Sequence, residues 1–412
     1  MNTIVPPQSR RRAQGRLLIR GSTKREDNGT VFLRFFVTRP LLSVAVVAVS
    51  SWLVLSNDSY VYGPDLSPLY ISSKEQTPAQ NNSGLINNFI EPVSCSERLA
   101  GRSGDAQDPN QGYTVDKLPK KYVNETDPKF WISLHKEYFD QLRWVHIYKN
   151  GNYYETGITD QFKEILHSRD KKGLVIDVGM NIGWFTVYSR AMGHDVVGFD
   201  PYPIMHTRVC ESLDLNGWLN DNSVKTFIQG LGEKTETLNI TTGKNPGGTS
   251  FDEDRLAKRF RKKLEVSVVR LDDVAEQQGW ITNEEPIYIL KMDVEGYEYY
   301  VLGGASKLLQ SRKIENLILE NSNKDLRQVI DMYAAIYDAG YEVHMLSDVQ
   351  GNPYHEEMIP GMNKELQGLS PGAELSQAGE NIKFLAEVSC NLWWKRRNES
   401  QNFQRNIDEG SK

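Results

Sequence analysis

The stretch LVIDVGMNIG at residues 174–183 decides the fold, because it joins an apolar run to a turn that contains two glycines. A short apolar run that ends in a glycine turn is typical of a buried parallel strand followed directly by a helix. The turn reads G-x-N-x-G and lacks the G-x-G-x-x-G pattern of dinucleotide sites. The stretch therefore predicts the first strand and helix of an α/β sheet.

Apolar runs and helical periodicity alternate after this turn. Residues 196–199, 224–228, 287–292, 314–320 and 341–345 are the predicted strands, and residues 382–388 are a candidate for a last edge strand. The predicted helices are 184–192, 204–216, 297–311 and 325–339. Strands that alternate with helices form a doubly wound sheet with helices on both faces. Ligands of such sheets bind at the carboxyl ends of the strands, so residues just after strands are the informative ones.

Polar residues follow the first two predicted strands. Asp177 and Asn181 in the first turn suit the ammonium and carboxylate of an amino acid such as methionine. Gly179 and Gly183 carry no side chain and let a ligand approach the backbone. Asp200 ends the second strand, where a carboxylate accepts both hydroxyls of a ribose. These residues predict an adenosine-type ligand with an amino-acid end, and an ordinary tight turn is the alternative.

A third group of charges follows a later strand, in ILKMDVEGYE at residues 289–298. Lys291, Asp293, Glu295 and Glu298 crowd the carboxyl end of an apolar run. Unpaired charges at such a place are costly, so they need partners or a ligand. An ion pair between Lys291 and one carboxylate is the structural alternative to a reactive centre.

With these three segments in order, the chain resembles the FkbM-type methyltransferase family over roughly residues 165–345. The most specific part is D-x-E-G-x-E with a G-A pair downstream. Two positions depart from the family: Met180 replaces a small residue, and Asp200 replaces the commoner Glu. The matching segments are IDVGMNIGWFTVYSR (176–190), VVGFDPYP (196–203), VVRLDDV (268–274) and LKMDVEGYEYYVLGGASKLL (290–309).

The resemblance implies a Rossmann-like class I methyltransferase fold, S-adenosylmethionine as the cofactor, and O-methylation, often of a sugar or polyketide hydroxyl. It also implies that the residues at the ends of the first two strands bind this cofactor. The residues that would hold the cofactor are Asp177, Gly179, Asn181, Gly183 and Asp200.

The resemblance places Asp293 and Glu295 at the reacting centre. An alcohol acceptor loses a proton during methyl transfer, and a positioned carboxylate base typically contributes ~10²–10⁴-fold. Asp293 is the expected base because it directly ends the strand, and Glu295 is the second choice. His194 or His206 as the base, and a metal-assisted reaction, stay open as alternatives.

The N-terminal part of the chain is basic and then apolar. Residues 1–39 carry a net charge of +7, so the remainder carries −13 of the total of −6. The uncharged run LLSVAVVAVSSWLVL at 41–55 predicts one transmembrane helix over residues 40–56. The basic tail should face the cytosol, which makes a type II protein with a luminal body in the Golgi or endoplasmic reticulum. A cleaved signal peptide and an organellar import segment are the alternatives.

The rest of the chain divides by composition. Residues 57–110 are rich in Ser, Pro, Asn and Gly and predict a stem, 111–395 the methyltransferase domain, and 396–412 a disordered tail. The segment 347–380 is long for a loop and is expected to form a lid or a wall of the acceptor site. N-x-S/T triplets, which accept glycans in a lumen, begin at Asn57, Asn81, Asn124, Asn239 and Asn398.

Composition also argues against two classes of partner. The acidic body is a poor match for a phosphate backbone, so no nucleic-acid partner is expected. Cys95, Cys210 and Cys390 lie far apart and the histidines lack ligand spacing, so no metal site is expected. The sequence leaves open whether two of these cysteines form a disulfide, and it leaves the oligomeric state open.

The leading hypothesis is a luminal O-methyltransferase that transfers a methyl group in line to the hydroxyl of a sugar or glycan. The first alternative is an organellar O-methyltransferase that acts on a small molecule or a lipid. The second is a membrane-anchored, non-catalytic scaffold with the same fold. A dinucleotide oxidoreductase is disfavoured by the missing G-x-G-x-x-G pattern.

Overall fold

The computed structural model describes residues 20–25, 31–36, 90–100, 120–135, 147, 155–242, 251, 262–323, 325–345, 358–387 and 390–398. The predicted membrane anchor at 40–56 lies outside these ranges, as does most of the predicted stem and tail. Within the ranges, no helix combines the length and apolarity that a bilayer crossing requires. The chain divides into two units, Met1–Tyr70 and Ile71–Lys412. In the first, strands β1 (Arg20–Arg25) and β2 (Val31–Phe36) pair as an antiparallel hairpin.

The second unit carries the remaining elements. Its strands are β3 (Lys120–Val123), β4 (Phe130–Ser133), β5 (Leu174–Val178), β6 (Asp195–Phe199), β7 (Val224–Phe227), β8 (Gly230–Leu231), β9 (Glu236–Thr242), β10 (Lys262–Val269), β11 (Ile287–Met292), β12 (Ile314–Asn321), β13 (Tyr341–Met345) and β14 (Cys390–Arg396). Its helices are α1 (Cys95–Ala100), α2 (Thr156–His167), α3 (Trp184–Ala191), α4 (Pro203–Leu215), α5 (Leu271–Gln277), α6 (Glu298–Gly303), α7 (Ser306–Gln310), α8 (Leu326–Asp338), α9 (Met358–Gln367) and α10 (Glu380–Glu387).

Seven strands form the central sheet in the order β13-β14-β12-β11-β5-β6-β7. All adjacent pairs from β12 to β7 are parallel, and β14 runs antiparallel to both of its neighbours. The chain builds the sheet outward from β5 to β7 and then restarts at β11 on the other side of β5. The strand order therefore reverses between β5 and β11, where a doubly wound sheet binds its ligand. This topology confirms the predicted Rossmann-like α/β fold.

The sheet is buried on both faces, as expected for parallel strands covered by helices. All six residues of β11 are buried. Its successive side chains enter opposite layers: Ile289 packs in the cluster with α3, and Leu290 in the cluster with α8. Complete burial of such a side chain contributes about 1.5–3 kcal/mol. Central strands are thus the most strongly determined part of the fold.

Three sequence-based predictions about elements were wrong. Residues 382–388 are not an edge strand, because α10 occupies most of this stretch and β14 lies inside the sheet. Ile382 and Leu385 are buried while Phe384 is 39% exposed, which is the three-residue spacing of one helix face. The helix predicted over 297–311 is two helices separated by Gly304 and Ala305, and a Cβ on Gly304 would lie 1.9 Å from the carbonyl oxygen of Gly232.

The described part of segment 347–380 is also not a loop, and its role as a lid or a wall of the acceptor site stays a prediction. It contains α9 and a 3₁₀ turn, Leu375–Gln377. Met362 and Leu366 are buried in the main core, and Asn363 exchanges two hydrogen bonds with the backbone of Val343 in β13. The apolar spacing along α9 explains why this stretch packs on the sheet instead of forming a loop.

The segment just before the body is tied to it. Cys95 of α1 and Cys210 of α4 form a disulfide, with Cα atoms 5.1 Å apart, and Cys390 is buried as a free thiol. The Arg98 guanidinium donates to the hydroxyl of Thr207 at 2.9 Å and to the carbonyl oxygen of Pro203. Residues 90–100, assigned above to the stem, therefore pack against the domain in the structure.

Replacing both Cys95 and Cys210 with serine should lower the free energy of unfolding by about 2–4 kcal/mol. The reason is that the bond joins positions 115 residues apart and so restricts the unfolded chain. Thermal unfolding of the oxidised protein and of the variant measures the difference. Wild-type protein in a reductant should unfold like the variant. Equal unfolding temperatures with and without the reductant would contradict the cross-link.

Candidate functional site

The first strand and the fourth sequence segment meet backbone to backbone at the switch point. The amide of Asp293 donates to the carbonyl of Val178 at 3.0 Å. Gly179 adopts a positive φ of 74°, and a Cβ there would overlap the carbonyl oxygen of Asp293. Gly183, at φ 82°, caps α3, and a Cβ would lie 2.6 Å from the Val209 side chain. Both glycines are therefore required by the protein's own packing, in addition to any contact with a ligand.

Met180, the departure from the family pattern, is a core residue. It is 3% exposed and packs with Val209 and Leu213. A Cβ on Gly198 would reach its sulfur at 2.5 Å, so the absence of a side chain at Gly198 makes room for the long thioether. The larger residue is accommodated inside the sheet–helix layer.

Asp200 and Asn181 are joined directly. The Asp200 carboxylate accepts the amide of Asn181 at 3.0 Å through Oδ2 and the amide of Tyr202 at 2.8 Å through Oδ1. Asn181 itself has a φ of 54°, and its side-chain oxygen accepts the amide of Ile182. Burial raises the pKa of Asp200 to about 7, although both amide bonds oppose the rise. The structure thus presents a poorly solvated carboxylate that gains from additional hydroxyl donors.

This pKa predicts a pH dependence of cofactor binding. Ribose hydroxyls donate to an ionised Asp200, so binding should be full above pH ~7 and weaken as protons compete below it, by up to about tenfold per pH unit. The dissociation constant of S-adenosylhomocysteine, measured by calorimetry over about pH 5.5–8.5, tests this. Asp200→Asn should bind more weakly and without this slope. The pKa of Glu298 also lies at about 7, so a slope that survives in Asp200→Asn would belong to Glu298 or another group.

Asp177, Lys291 and Asp293 form a buried row of charges. The Lys291 ammonium lies 3.7 Å from Oδ1 of Asp177 and 3.3 Å from Oδ2 of Asp293. Thr186 donates its hydroxyl to Asp177 at 2.7 Å. Burial raises the pKa of Asp177, and Lys291 works against that rise. Burial also opposes the charge of Lys291, but the carboxylates of Asp293 and Asp177 outweigh it, and its pKa is raised.

This row changes the interpretation of Asp177. Its carboxylate is fully buried and engaged by Thr186 and Lys291. Asp293, by contrast, is 22% exposed at its side chain. Asp177 is therefore placed to hold Lys291, and through it Asp293, while direct contact with a cofactor stays a prediction. Lys291 therefore forms the ion pair that the structural alternative expected, and Asp293 is still exposed enough to meet an acceptor.

The D-V-E-G-x-E turn is held by its last acidic residue. Glu298 begins α6 and accepts the amides of Val294 at 3.2 Å and Gly296 at 3.0 Å with one oxygen. Glu295 and Gly296 adopt positive φ angles of 57° and 100°. Glu298 is completely buried, and burial raises its pKa to about 7. It therefore shapes the turn, and Glu295 is a half-buried carboxylate within it.

The histidine alternatives lie elsewhere. His194 accepts the amide of Gly173, which precedes β5, so it lies at the amino end of the sheet. His206 is fully buried and contacts the carbonyl oxygen of Asp200 at 2.7 Å through Nε2. Burial lowers the pKa of His206 to about 3, which keeps its ring neutral. Neither ring adjoins Asp293.

Two carboxylates of the site were missed by sequence reasoning. Glu320 near the end of β12 forms a side-chain hydrogen bond with Asp293, and Glu155, before α2, lies close enough to act on Lys291 and Glu320. The sequence could have indicated Glu320, because it is the last residue of the predicted strand 314–320. Asp293 has a similar position, directly after the predicted strand 287–292. Glu155 carried no such signal, since only folding brings α2 to this edge. Burial, followed by Asp293, raises the pKa of Glu320 well above its usual range.

Comparison with known proteins finds similarity to methyltransferases. The family model of the "Methyltransferase FkbM domain" matches residues 177–343, from the first turn to β13. The chain is 27% identical over 199 residues to "Methyltransferase sdnD" of Sordaria araneosa, covering 41% of this chain and 73% of that protein. It is 28% identical over 148 residues to "Methyltransferase 1" of Beauveria bassiana (strain ARSEF 2860), covering 32% of this chain and 57% of that one.

Solved structures of methyltransferases share a more distant likeness. "StiE O-MT residues 961-1257" is 12% identical, with 66% of this chain and 88% of that chain covered and a TM-score of 0.29. A "SAM Dependent Methyltransferase from Agrobacterium tumefaciens" is also 12% identical, with 65% and 67% covered and a TM-score of 0.32.

Proposed function

Because the chain is an S-adenosylmethionine-dependent methyltransferase whose residues 177–343 match the FkbM methyltransferase domain, we propose that it methylates a hydroxyl group of a sugar or glycan in the secretory pathway. The observation that carries O-methylation is the Asp293 carboxylate, which lies at the switch point, 3.3 Å from Lys291 and partly open to solvent. A carboxylate kept ionised by an ammonium group is suited to accept the proton of a hydroxyl acceptor.

The residues of the first two strand ends fit the cofactor. Asp200 offers a desolvated carboxylate to the ribose, and the turn from Gly179 to Gly183 brings backbone close to the switch point. When bound, S-adenosylmethionine would supply an electrophilic methyl carbon, and its sulfur would accept the electron pair of the C–S bond. Asp293 takes the acceptor's proton, and Lys291 stays charged beside it. Alignment of the two reactants contributes several kcal/mol in such reactions.

Three features support the luminal location. The disulfide Cys95–Cys210 is of a kind that persists in oxidising compartments. Among the sequons, Asn124, Asn239 and Asn398 are exposed in the structure and accessible to a glycan. The apolar run at 41–55 supplies the anchor, with the basic tail on the cytosolic side. A luminal enzyme meets glycan hydroxyls in abundance.

The test uses the full-length chain with methyl-labelled S-adenosylmethionine and cell extract separated into glycan, protein, lipid and small-molecule fractions. Label in released glycans that survives base treatment, as a methyl ether does and a methyl ester does not, supports the proposal. Label in lipid or small molecules instead keeps the methyltransferase and overturns the glycan acceptor. Tight binding of S-adenosylhomocysteine with no transfer to any fraction would overturn the catalytic proposal in favour of the scaffold.

A second experiment tests the compartment. Removal of N-glycans from the protein made in a eukaryotic cell should increase its gel mobility. The triple variant Asn124→Gln, Asn239→Gln and Asn398→Gln should show a smaller change. No change in the wild-type protein would count against a luminal body.

A further inference from the structure

We propose that Glu320 is a positioning residue: it stays protonated and donates a hydrogen bond that holds the Asp293 carboxylate towards the acceptor. This inference rests on the proposed hydroxyl methylation, and it assigns a role to a residue that the sequence motif does not contain. Its basis is the contact between two acidic side chains at the ends of neighbouring strands.

The sheet register brings the two residues together. Lys291 and Met292 of β11 pair with Ile318 and Leu319 of β12. The next residues along the two parallel strands are Asp293 and Glu320, so their backbones leave the sheet side by side. Their side chains hydrogen-bond to each other. Two carboxyl groups form such a bond only when one of them carries a proton, because two adjacent carboxylates repel.

The neighbours decide which carboxyl group keeps the proton. The ammonium of Lys291 lies 3.3 Å from Oδ2 of Asp293 and favours the charge on that residue. The hydroxyl of Ser322 donates to Oε1 of Glu320 at 3.2 Å, and this neutral donor favours a charge on Glu320 less than the ammonium favours one on Asp293. The proton is therefore placed on Glu320 and the charge on Asp293.

Burial and the acidic groups around Glu320 act in the same direction. Its ionisation is opposed by burial first, and then by Asp293, Glu155 and Glu295. On the other side lies the thiol of Cys390 in β14, which pairs with β12 and whose own pKa burial raises to about 12. The ammonium of Lys291 also interacts with Glu320 and favours its charged form, which opposes the effect of these acidic neighbours. The raised pKa of Glu320 agrees with the geometric assignment.

This assignment determines where the acceptor's proton goes during methyl transfer. Before reaction the pair holds one proton, on Glu320. The acceptor's O–H bond breaks, and its proton moves to the carboxylate of Asp293. The acceptor oxygen's electron pair forms the bond to the methyl carbon, whose bond to the donor sulfur breaks with its electron pair left on sulfur. Both carboxyl groups are then neutral, and one proton returns to solvent before the next turnover. Glu320 does not touch the acceptor; it fixes the direction of the Asp293 oxygen.

Two variants separate positioning from charge. Glu320→Gln keeps an N–H donor towards Asp293 and an acceptor for Ser322, so kcat should stay within about threefold of wild type. Glu320→Leu removes the donor and should lower kcat on the order of 10–100-fold with KM little changed. Wild-type activity should fall at alkaline pH as Glu320 loses its proton, and Glu320→Gln should lack this fall. The proposal would be overturned if kcat fell as much in Glu320→Gln as in Glu320→Leu. Full activity of Glu320→Leu would overturn it as well.

A readout without turnover keeps the inference separate from the proposed function. Infrared difference spectra of wild type against Glu320→Gln, taken above pH ~8, should show one carboxylic-acid carbonyl band present only in wild type. Above this pH, Asp200 and Glu298, with pKa values of about 7, are mostly ionised and contribute little. A missing band would overturn the protonated Glu320 even in an active enzyme. A band without methylation of any hydroxyl would instead reject the proposed function.

Discussion

Asp293→Asn should lower kcat by roughly 10²–10⁴-fold while the dissociation constant of S-adenosylhomocysteine changes little. The substitution removes the charge that Lys291 stabilises at 3.3 Å but keeps the size of the side chain. Asparagine cannot accept the acceptor's proton, so the loss should appear in the chemical step. Initial rates with labelled cofactor and calorimetric titration of the product measure the two quantities.

Glu295→Gln is the matched comparison, because it removes a carboxylate two residues away in the same turn. It should retain most of the activity, since Asp293 directly follows the strand and its carboxylate lies 3.3 Å from the Lys291 ammonium. If the Glu295 variant loses activity and the Asp293 variant retains it, the base is Glu295. If Asp293→Asn also loses product binding, Asp293 belongs to the cofactor site.

Lys291→Met should destabilise the fold by about 3–5 kcal/mol, the largest stability effect expected from a single substitution in this site. Lys291 is 3% exposed, and its removal leaves the fully buried Asp177 without its cation. The carboxylate must then be protonated or remain as an uncompensated buried charge, and both are costly. Chemical unfolding of the wild type and the variant measures the difference.

Two further variants show whether the loss comes from the buried pair. Adding Asp177→Asn to Lys291→Met removes the orphaned charge and should recover part of the stability. Lys307→Met removes a lysine whose ion pair with Glu276 is exposed to solvent, and it should leave the unfolding temperature nearly unchanged. A Lys291 variant as stable as the Lys307 variant would contradict a structural role for the row of charges.

Much of the site was predictable because it follows strand ends. Asp177, Asp200 and Asp293 each lie at or just past the carboxyl end of a strand whose apolar run is visible in the sequence. Parallel strands bring such ends to one edge, so periodicity alone places these residues together. Which of them faces a ligand was not predictable. Asp177 is enclosed by Thr186 and Lys291, and this depends on packing between α3 and β11.

The departures from prediction have a common cause. Residues 382–388 and 347–380 carry weak local signals, and tertiary packing selects helices where a strand and a loop were expected. The disulfide and the contact of α1 with α4 join positions 115 residues apart, a pairing that residue spacing does not encode. The hydrogen bond between Glu320 and Asp293 depends on the order of β11 and β12 in the sheet.

Hydrophobic periodicity and short motifs are local properties of the chain, so the amino-acid sequence was sufficient to predict the α/β fold, the resemblance to FkbM-type methyltransferases and the three strand ends of the candidate site. Only the tertiary structure decided which acidic residues are buried, which share Lys291, and which two share a proton. Burial and charge pairing depend on neighbours that are distant in sequence, and these neighbours set the protonation of each carboxyl group.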